Sequence, residues 1–223
     1  AQKVKEVGAN LGLCFDGDAD RLIAIDDNGE VINGDLLIGL LAKFLKDRNE
    51  LGPANEVVGT VMSNLGLENY LKSNSIGFHR TNVGDRYIIE RMRESGALFG
   101  GENSGHLIFG KYATTGDGII AALKLIECAY YYQDKLKDLI RDIELYPQVL
   151  INVKVKNKKP FEEVASIQQE LKAIEAQLGD EGRVLLRYSG TEHLARVMIE
   201  GKNKNLVDSS AKKLADVVKA ALD

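Results

Sequence analysis

Three aspartates stand at alternate positions directly after a short apolar run. Residues 16–20 read Asp-Gly-Asp-Ala-Asp, so the carboxylates recur at i, i+2 and i+4. In a tight loop these charges repel one another unless a cation lies among them. Oxygen ligands without histidine or cysteine favour Mg²⁺ over Zn²⁺. The segment therefore indicates a magnesium site with the ligands Asp16, Asp18 and Asp20.

Other interpretations of this acidic segment use the same residues. An EF-hand loop requires Gly at its sixth position and Glu at its twelfth, where this chain has Arg21 and Asp27, and it is thereby excluded. A phosphatase of the haloacid dehalogenase type would use Asp16 as its nucleophile. Such phosphatases usually have Thr or Val where this chain has Asp20. A solvated acidic turn is the remaining interpretation.

A glycine-rich segment joins two predicted strands further along the chain. Residues 100–106 read Gly-Gly-Glu-Asn-Ser-Gly-His and match neither the P-loop nor the dinucleotide-binding pattern. The glycines permit a ligand to approach closely, and the carboxylate and hydroxyl groups suit the hydroxyls of a sugar. The alternative is a plain turn with a polar tip. His106, taken alone, is more typical of a structural histidine.

A third polar segment carries cations and hydroxyls. Residues 187–192 read Arg-Tyr-Ser-Gly-Thr-Glu, and Arg196 follows four residues later. A guanidinium can bind phosphate through two hydrogen bonds, while Ser189, Thr191 and the amide of Gly190 add donors. The alternative is a hairpin turn with incidental polar residues. A net charge of -4 and a pI of about 5.6 argue against general nucleic-acid binding.

Strands alternate with helices between residues 35 and 142. The predicted strands are 11–15, 21–25, 56–61, 76–80, 97–100 and 106–109, and the predicted helices are 35–48, 65–73, 85–95, 118–132 and 135–142. This alternation predicts a doubly wound α/β domain with a mixed, largely parallel sheet. Residues 1–10 look like the end of a helix, so the chain is expected to be shortened or a proteolytic fragment.

The pattern changes near Tyr146-Pro147. Apolar residues alternate with polar ones over 149–155, as in a half-buried strand. The remaining predicted elements are a helix at 161–178, strands at 183–187 and 195–200, and a helix at 206–222. They predict a small α+β domain with helices on one face of an antiparallel sheet. The boundary between the domains is predicted near residue 144.

Composition is that of an ordinary folded chain, with 44% hydrophobic and 28% charged residues among 223. The longest apolar stretch, 36–45, is too short to span a membrane and contains Lys43. The only cysteines, Cys14 and Cys128, are predicted to be buried structural thiols. Their number suits a reducing cytoplasm better than a disulfide framework.

The three polar segments, in this order, resemble the α-D-phosphohexomutase superfamily. The superfamily has a metal loop Asp-Gly-Asp-(Gly/Ala)-Asp-Arg, a sugar loop Gly-Glu-x-Ser-Gly-His and a phosphate loop Arg-x-Ser-Gly-Thr-Glu. Residues 16–21, 101–106 and 187–192 match these loops and take their names here. Further runs resemble the phosphoglucosamine mutase branch, at 60–67, 83–87, 114–118 and 196–201. One departure is His193, where the superfamily usually has Pro.

The resemblance implies a place for each part of the chain in a four-domain enzyme. Residues 1–34 would end domain two and hold the metal loop, 35–144 would form the sugar-binding domain three, and 145–223 the phosphate-binding domain four. The superfamily carries a phosphoserine in domain one, in a Thr-Ala-Ser-His-Asn type of motif that these residues do not contain. The chain is therefore expected to be a C-terminal portion that is inactive alone.

The resemblance also implies a reaction, the interconversion of glucosamine 6-phosphate and glucosamine 1-phosphate through the phosphoserine and a bisphosphate intermediate. Mg²⁺ would be held by Asp16, Asp18 and Asp20. Arg21 would contact the transferred phosphoryl group, and His106 would transfer a proton. The residues expected to bind substrate are Glu102, Asn103 and Ser104 for the sugar and Arg187, Ser189, Gly190, Thr191 and Arg196 for the phosphate.

Alternatives with the same segments are a phosphomannomutase/phosphoglucomutase of the superfamily and a non-catalytic sugar-phosphate-binding fragment. The mutase interpretation implies a cytoplasmic enzyme of amino sugar metabolism. Its product would feed the route to UDP-N-acetylglucosamine and peptidoglycan precursors. Its partner would be a hexosamine phosphate, with no nucleic acid and no membrane. The resemblance allows a homodimer for the full-length enzyme.

Overall fold

The computed structural model describes residues 1–223, and the chain folds into two compact units, 1–145 and 146–223. The helices of the first unit are α1 (Gln2–Val7), α2 (Gly34–Asp47), α3 (Leu65–Ser73), α4 (Asp85–Ser95), α5 (Gly118–Tyr132) and α6 (Leu136–Leu139). Its strands are β1 (Gly12–Phe15), β2 (Leu22–Ile25), β3 (Glu56–Thr60), β4 (Gly77–Thr81), β5 (Phe99–Gly101) and β6 (Leu107–Phe109). The second unit contains β7 (Gln148–Lys154), α7 (Ala165–Leu178), β8 (Gly182–Tyr188), β9 (Leu194–Gly201) and α8 (Lys204–Leu222).

The main sheet of the first unit has the strand order β4-β3-β5-β6. Strand β3 runs parallel to both β4 and β5, whereas β6 pairs with β5 in the antiparallel direction. Neighbouring residues of β3 point to opposite sides. Val57 joins a core with Leu67 of α3, and Val58 joins another with Ile88 of α4. Helices therefore cover both faces, which confirms the predicted doubly wound, mixed α/β sheet.

Side-chain caps determine where several helices begin. Asn33 accepts a hydrogen bond from the amide of Asp35 at 2.8 Å, and Asn64 caps α3 in the same way. Asp117 accepts from the first two free amides of α5, each at 2.9 Å. Such caps satisfy amides that the helix itself leaves unpaired. They fix the start of α2 beside the sugar loop and the start of α5 beside the metal loop.

Strands β1 and β2 form a separate antiparallel hairpin that buries one face. Leu22 and Ala24 of this hairpin are fully buried. Cys14 pairs with Ile23 on the other face, and both residues are exposed. The prediction that Cys14 is a buried thiol is therefore wrong, because apolar neighbours in sequence do not cover the open face of a two-stranded sheet. Cys128 is buried, as predicted.

The second unit is a three-stranded antiparallel sheet of order β7-β9-β8. Helices α7 and α8 supply Ile167 and Leu214 to a core that includes Val153 and Val197. The alternation predicted for β7 is confirmed, since Val153 is buried while the residues beside it are exposed. The fold is the predicted α+β arrangement.

Element ends differ from the sequence-based expectation in a few places. Helix α6 is a single turn rather than 135–142, and Ile143 after it is buried in the core of the first unit. Helix α7 is preceded by a short 3₁₀ turn, Phe161–Glu163, and Val164 between them has extended backbone angles. The division into 1–34, 35–144 and 145–223 stays a prediction. None of the eight helices combines the length and the hydropathy that crossing a bilayer requires.

Candidate functional site

Several loops of the first unit meet at the carboxyl ends of the parallel strands, where ligands bind in open α/β sheets. The amide of Leu22, next to the metal loop, donates to the carbonyl of Gly105 in the sugar loop at 3.0 Å. The amide of Gly118, at the start of α5, donates to the carbonyl of Ala19 at 2.9 Å. Backbone hydrogen bonds therefore hold the metal loop against both the sugar loop and α5.

The metal loop brings its three carboxylates together. One ligand oxygen from each of Asp16, Asp18 and Asp20 lies within 4.8 Å of the others. The chain turns sharply at Ala19, whose φ of 59° is left-handed and whose amide donates to the carbonyl of Asp16 at 3.2 Å. Oxygens on opposite sides of a Mg²⁺ ion lie about 4.2 Å apart, twice the usual Mg–O distance of about 2.1 Å. Oxygens on adjacent sides lie about 3.0 Å apart, so the three carboxylates would have to move closer together to enclose such an ion.

Arg21 lies beside two of these carboxylates. Its Nε atom is 3.6 Å from Asp16 Oδ2 and 3.6 Å from Asp20 Oδ1. The Arg21 side chain is about half exposed, so its charge offsets the repulsion only in part. Asp20 Oδ1 is buried and receives no hydrogen bond. A buried carboxylate oxygen without a donor, next to two further carboxylates, fits a divalent cation.

The sugar loop is a tight turn between β5 and β6. The amide of Glu102 donates to the carbonyl of His106 at 2.9 Å, and the amide of Gly105 donates back to Glu102 at 3.0 Å. Gly105 has a φ of +89°, and a Cβ atom there would lie 2.2 Å from the carbonyl oxygen of Leu22, so only glycine fits. This close approach is what lets the sugar loop pack against the hairpin.

The polar side chains of the sugar loop have different surroundings. Glu102 accepts a hydrogen bond from the amide of Gly84 at 3.0 Å, which leaves its second carboxylate oxygen available. The Oγ atom of Ser104 is buried and has no hydrogen-bond partner. Asn103 is exposed. A buried hydroxyl without a partner is costly in an empty site and is satisfied by a polar ligand.

His106 is only 5% exposed and makes contacts through both ring nitrogens. Its Nδ1 atom lies 3.2 Å from Asp20 Oδ2. Its Nε2 atom accepts a hydrogen bond from the amide of Gly116 at 3.2 Å and lies 3.9 Å from Asp85 Oδ2. The structure therefore places His106 beside the metal loop. The role in proton transfer stays a prediction.

Three residues of this cluster, Asp85, Thr115 and Gly116, were not among the site residues predicted from the sequence. Asp85 begins α4, and its Oδ2 atom lies 3.3 Å from the hydroxyl of Thr115, which donates to it. Gly116 contacts the imidazole of His106. The runs 83–87 and 114–118 had signalled these positions by resemblance, but nothing in their composition indicated that they would meet.

The phosphate loop belongs to the second unit. Arg187 of β8 lies directly opposite Arg196 of β9 in the antiparallel register. Burial, together with the neighbouring Arg196 guanidinium, lowers the pKa of Arg187 below its usual value. The Nε atom of Arg196 is buried without a hydrogen bond, and its Nη2 atom is 3.7 Å from Glu192. Two adjacent guanidinium groups with so little acidic compensation favour an anionic ligand.

Other residues of the phosphate loop are arranged by backbone contacts. Ser189 is buried, and its hydroxyl accepts from the amide of Glu192 at 3.3 Å. Gly190 and Thr191 are exposed and free to face a ligand. Lys158 was missed in the sequence, although its Nζ atom donates to the carbonyl of Ser189 at 2.8 Å. A lysine thirty-one residues away carries no local signal for this contact.

Family models match most of the chain. The model described as phosphoglucomutase/phosphomannomutase, alpha/beta/alpha domain III, matches residues 33–146. The model described as phosphoglucomutase/phosphomannomutase, C-terminal domain, matches residues 150–217. Together they cover the main sheet of the first unit and nearly all of the second.

Similar proteins include a phosphoglucosamine mutase of Lawsonia intracellularis, which is 48% identical over 222 residues. A phosphoglucosamine mutase of Campylobacter hominis is 44% identical over 223 residues. In both cases the match covers 100% of this chain and 49% of the relative. The chain thus spans about half the length of these relatives.

Solved structures show the same fold. An N-acetylglucosamine-phosphate mutase of the α-D-phosphohexomutase superfamily, in its product complex, has a TM-score of 0.75 at 25% identity, over 94% of this chain and 49% of its own. An Aspergillus fumigatus N-acetylphosphoglucosamine mutase, in complex with GlcNAc-6P and magnesium, has a TM-score of 0.76 at 21% identity, over 93% of this chain and 52% of its own. Because the family models match most of its residues, the chain belongs to the phosphoglucomutase/phosphomannomutase family, and its relatives of 44–48% identity show that it is a homologue of phosphoglucosamine mutases.

Proposed function

We propose that this chain supplies the metal-, sugar- and phosphate-binding parts of a phosphoglucosamine mutase, which interconverts glucosamine 6-phosphate and glucosamine 1-phosphate through a phosphoserine and a bisphosphate intermediate. The observation that carries the proposal is the joining of the metal loop to the sugar loop, through the backbone contact of Leu22 with Gly105 and the side-chain contact of Asp20 with His106. This arrangement supports a metal-assisted reaction on a sugar.

Asp16, Asp18 and Asp20 would hold Mg²⁺ in this proposal. The ion, when bound, would neutralise charge on the phosphoryl group during its in-line transfer. Arg21 lies within 3.6 Å of two of the ligands and would direct its free guanidinium nitrogens to the same phosphoryl group. The magnesium in the Aspergillus fumigatus structure is consistent with this assignment but belongs to a protein of 21% identity.

Glu102, Asn103 and Ser104 would bind the hydroxyl groups of the sugar. The free oxygen of Glu102 is an acceptor, and the buried hydroxyl of Ser104 needs a partner. Both are held by a backbone that contacts the hairpin closely, so they are positioned before the ligand arrives. Such groups serve substrate and product alike, because both carry the same ring.

Arg187, Ser189, Gly190, Thr191 and Arg196 would bind the phosphate that does not react. A dianionic phosphate between Arg187 and Arg196 would relieve the repulsion of the two guanidinium groups and pair with both. Lys158 would assist by holding the backbone of Ser189 in place. The second unit would thus bind a phosphate group.

The 223 residues contain no Thr-Ala-Ser-His-Asn motif, the type of motif that carries the phosphoserine in the superfamily. We therefore expect no turnover from this chain alone, even with glucosamine 1,6-bisphosphate as a primer.

The test is to fuse this chain behind the complementary N-terminal portion of the Lawsonia intracellularis relative and to compare the rates of the fusion on glucosamine and mannose phosphates. We expect the fusion to prefer the glucosamine phosphates and Asp18→Asn to abolish its turnover on all of them. A folded fusion that prefers mannose phosphates would favour the phosphomannomutase/phosphoglucomutase alternative, and turnover by the 223 residues alone would refute the missing-donor argument.

A further inference from the structure

The hydrogen bonds of His106 define which ring nitrogen carries its proton. The amide of Gly116 donates to Nε2 at 3.2 Å, so Nε2 offers its lone pair and the proton of a neutral ring lies on Nδ1. Nδ1 is 3.2 Å from Asp20 Oδ2, which can only accept as a carboxylate. The ring nitrogen that carries the proton therefore lies beside one oxygen of Asp20.

Asp20 has few other restraints. Its second contact is with Arg21, at 3.6 Å, and that side chain is 51% exposed and shared with Asp16. Oδ1 of Asp20 receives no hydrogen bond. The buried imidazole is thus a closer neighbour of this carboxylate than the Arg21 guanidinium is. A carboxylate held at one oxygen has its other oxygen turned in a defined direction.

The ring itself is held firmly. A Cβ atom added to Gly116 would lie 2.3 Å from both Cε1 and Nε2 of His106, so the 114–118 segment packs directly on the imidazole. Glu102 and His106 also close the sugar loop through a backbone hydrogen bond of 2.9 Å. The side chain that lies beside Asp20 is therefore anchored in the sugar loop by its backbone and packed against the 114–118 segment by its ring.

We propose that His106 is a positioning residue for the metal site, which it serves by donating Nδ1–H to Asp20 Oδ2 and thereby presenting Asp20 Oδ1 to the cation. The inference rests on the proposed magnesium site. Partners that orient a ligand in this way commonly contribute about 10–100-fold to metal affinity. The predicted effect is on metal affinity, which is measured separately from the proton-transfer role that the resemblance implies.

The test uses the 223-residue chain and Mn²⁺ as the probe, with free Mn²⁺ followed by its electron paramagnetic resonance signal. The amide nitrogen of Asn overlies Nδ1 of His, whereas that of Gln overlies Nε2. His106→Asn should therefore keep Mn²⁺ affinity within about threefold, while His106→Leu and His106→Gln should weaken it by about 10-fold or more. Gly116→Ala, which displaces the ring without altering it, should also weaken Mn²⁺ binding.

Two controls separate the possible failures. Inorganic phosphate binding, which we assign to the second unit, should be unchanged in every His106 variant, and circular dichroism should show a folded chain. If Asp18→Asn binds Mn²⁺ as well as the parent chain does, the metal site itself is wrong. If Asp18→Asn loses binding but His106→Leu does not, or if the Asn and Gln variants lose it equally, the positioning role is overturned.

Discussion

At the scale of single residues, the structure separates two cysteines that look alike in the sequence. Cys128 is fully buried in α5, and burial, followed by the charges of Glu127 and Asp47, raises the pKa of its thiol to about 12. Cys14 is exposed on the open face of the β1–β2 hairpin. Thiol reagents attack the thiolate and need access to it. Cys14 should therefore react with such reagents and Cys128 should not, because the Cys128 thiol is both buried and protonated.

We expect a disulfide-exchange reagent at about pH 8 to modify one thiol in the folded chain and two after unfolding, because the raised pKa leaves Cys128 protonated at this pH. Cys14→Ser should abolish the native reaction, and Cys128→Ser should leave it intact. Counting released chromophore before and after denaturant gives both numbers. Rapid native labelling in Cys14→Ser would show that Cys128 is accessible.

Most residues of the candidate site were proposed from their identity and from the composition of the segment around them. The carboxylates, the sugar-loop acid and the paired arginines could be proposed because each stands in a segment of unusual local composition. The contact of His106 with Asp20 and Gly116 could not, since it joins residues separated by 86 and 10 positions. Lys158 was missed for the same reason. Contacts between segments depend on how the sheet and its loops pack.

At the scale of elements, hydrophobic periodicity located nearly every helix and strand, because each must bury one face. It failed where the covering layer decides burial, as at Cys14, and where a segment ends by turning into the core, as at Ile143 after α6. The start of α5 makes a packing contact that hydrophobic periodicity does not predict. Its first residue, Gly118, lies against the backbone of the metal loop.

Gly118→Ala is expected to impair the metal loop. A Cβ atom at residue 118 would lie 2.7 Å from the carbonyl oxygen of Arg21 and 2.8 Å from that of Ala19, both backbone atoms. Helix propensity alone would make the change stabilising by up to about 1 kcal/mol. We expect Gly118→Ala to lower both the thermal stability and the Mn²⁺ affinity. Because helix propensity acts in the opposite direction, such a loss would be explained by the steric clash.

Gly17→Ala is the matched control for this change, because it lies in the same loop and its Cβ atom would meet nothing within 4 Å. Its melting temperature and Mn²⁺ affinity should stay close to those of the parent chain. If Gly118→Ala also matches the parent, then α5 does not press on the metal loop as the structure indicates.

At the scale of the whole molecule, the chain consists of two units with separate cores. The second has three strands, two covering helices and a buried cluster that includes Ile167, Val197 and Leu214. A unit with its own core can fold alone. Residues 146–223 should therefore give one cooperative thermal transition by circular dichroism. A spectrum of disordered chain would mean that the unit depends on residues before 146.

The proposed function requires that this chain bind a hexosamine phosphate. Its most direct test is calorimetric titration of the 223-residue chain with glucosamine 6-phosphate in the presence of Mg²⁺. We predict weak, saturable binding that Arg187→Ala weakens by about 1.5–3 kcal/mol, the worth of a charge-assisted hydrogen bond. Lys212→Ala, which removes an exposed cation of α8, should leave it unchanged. Equal affinity in the parent and Arg187→Ala, or no binding in the folded parent chain, would refute the proposed function.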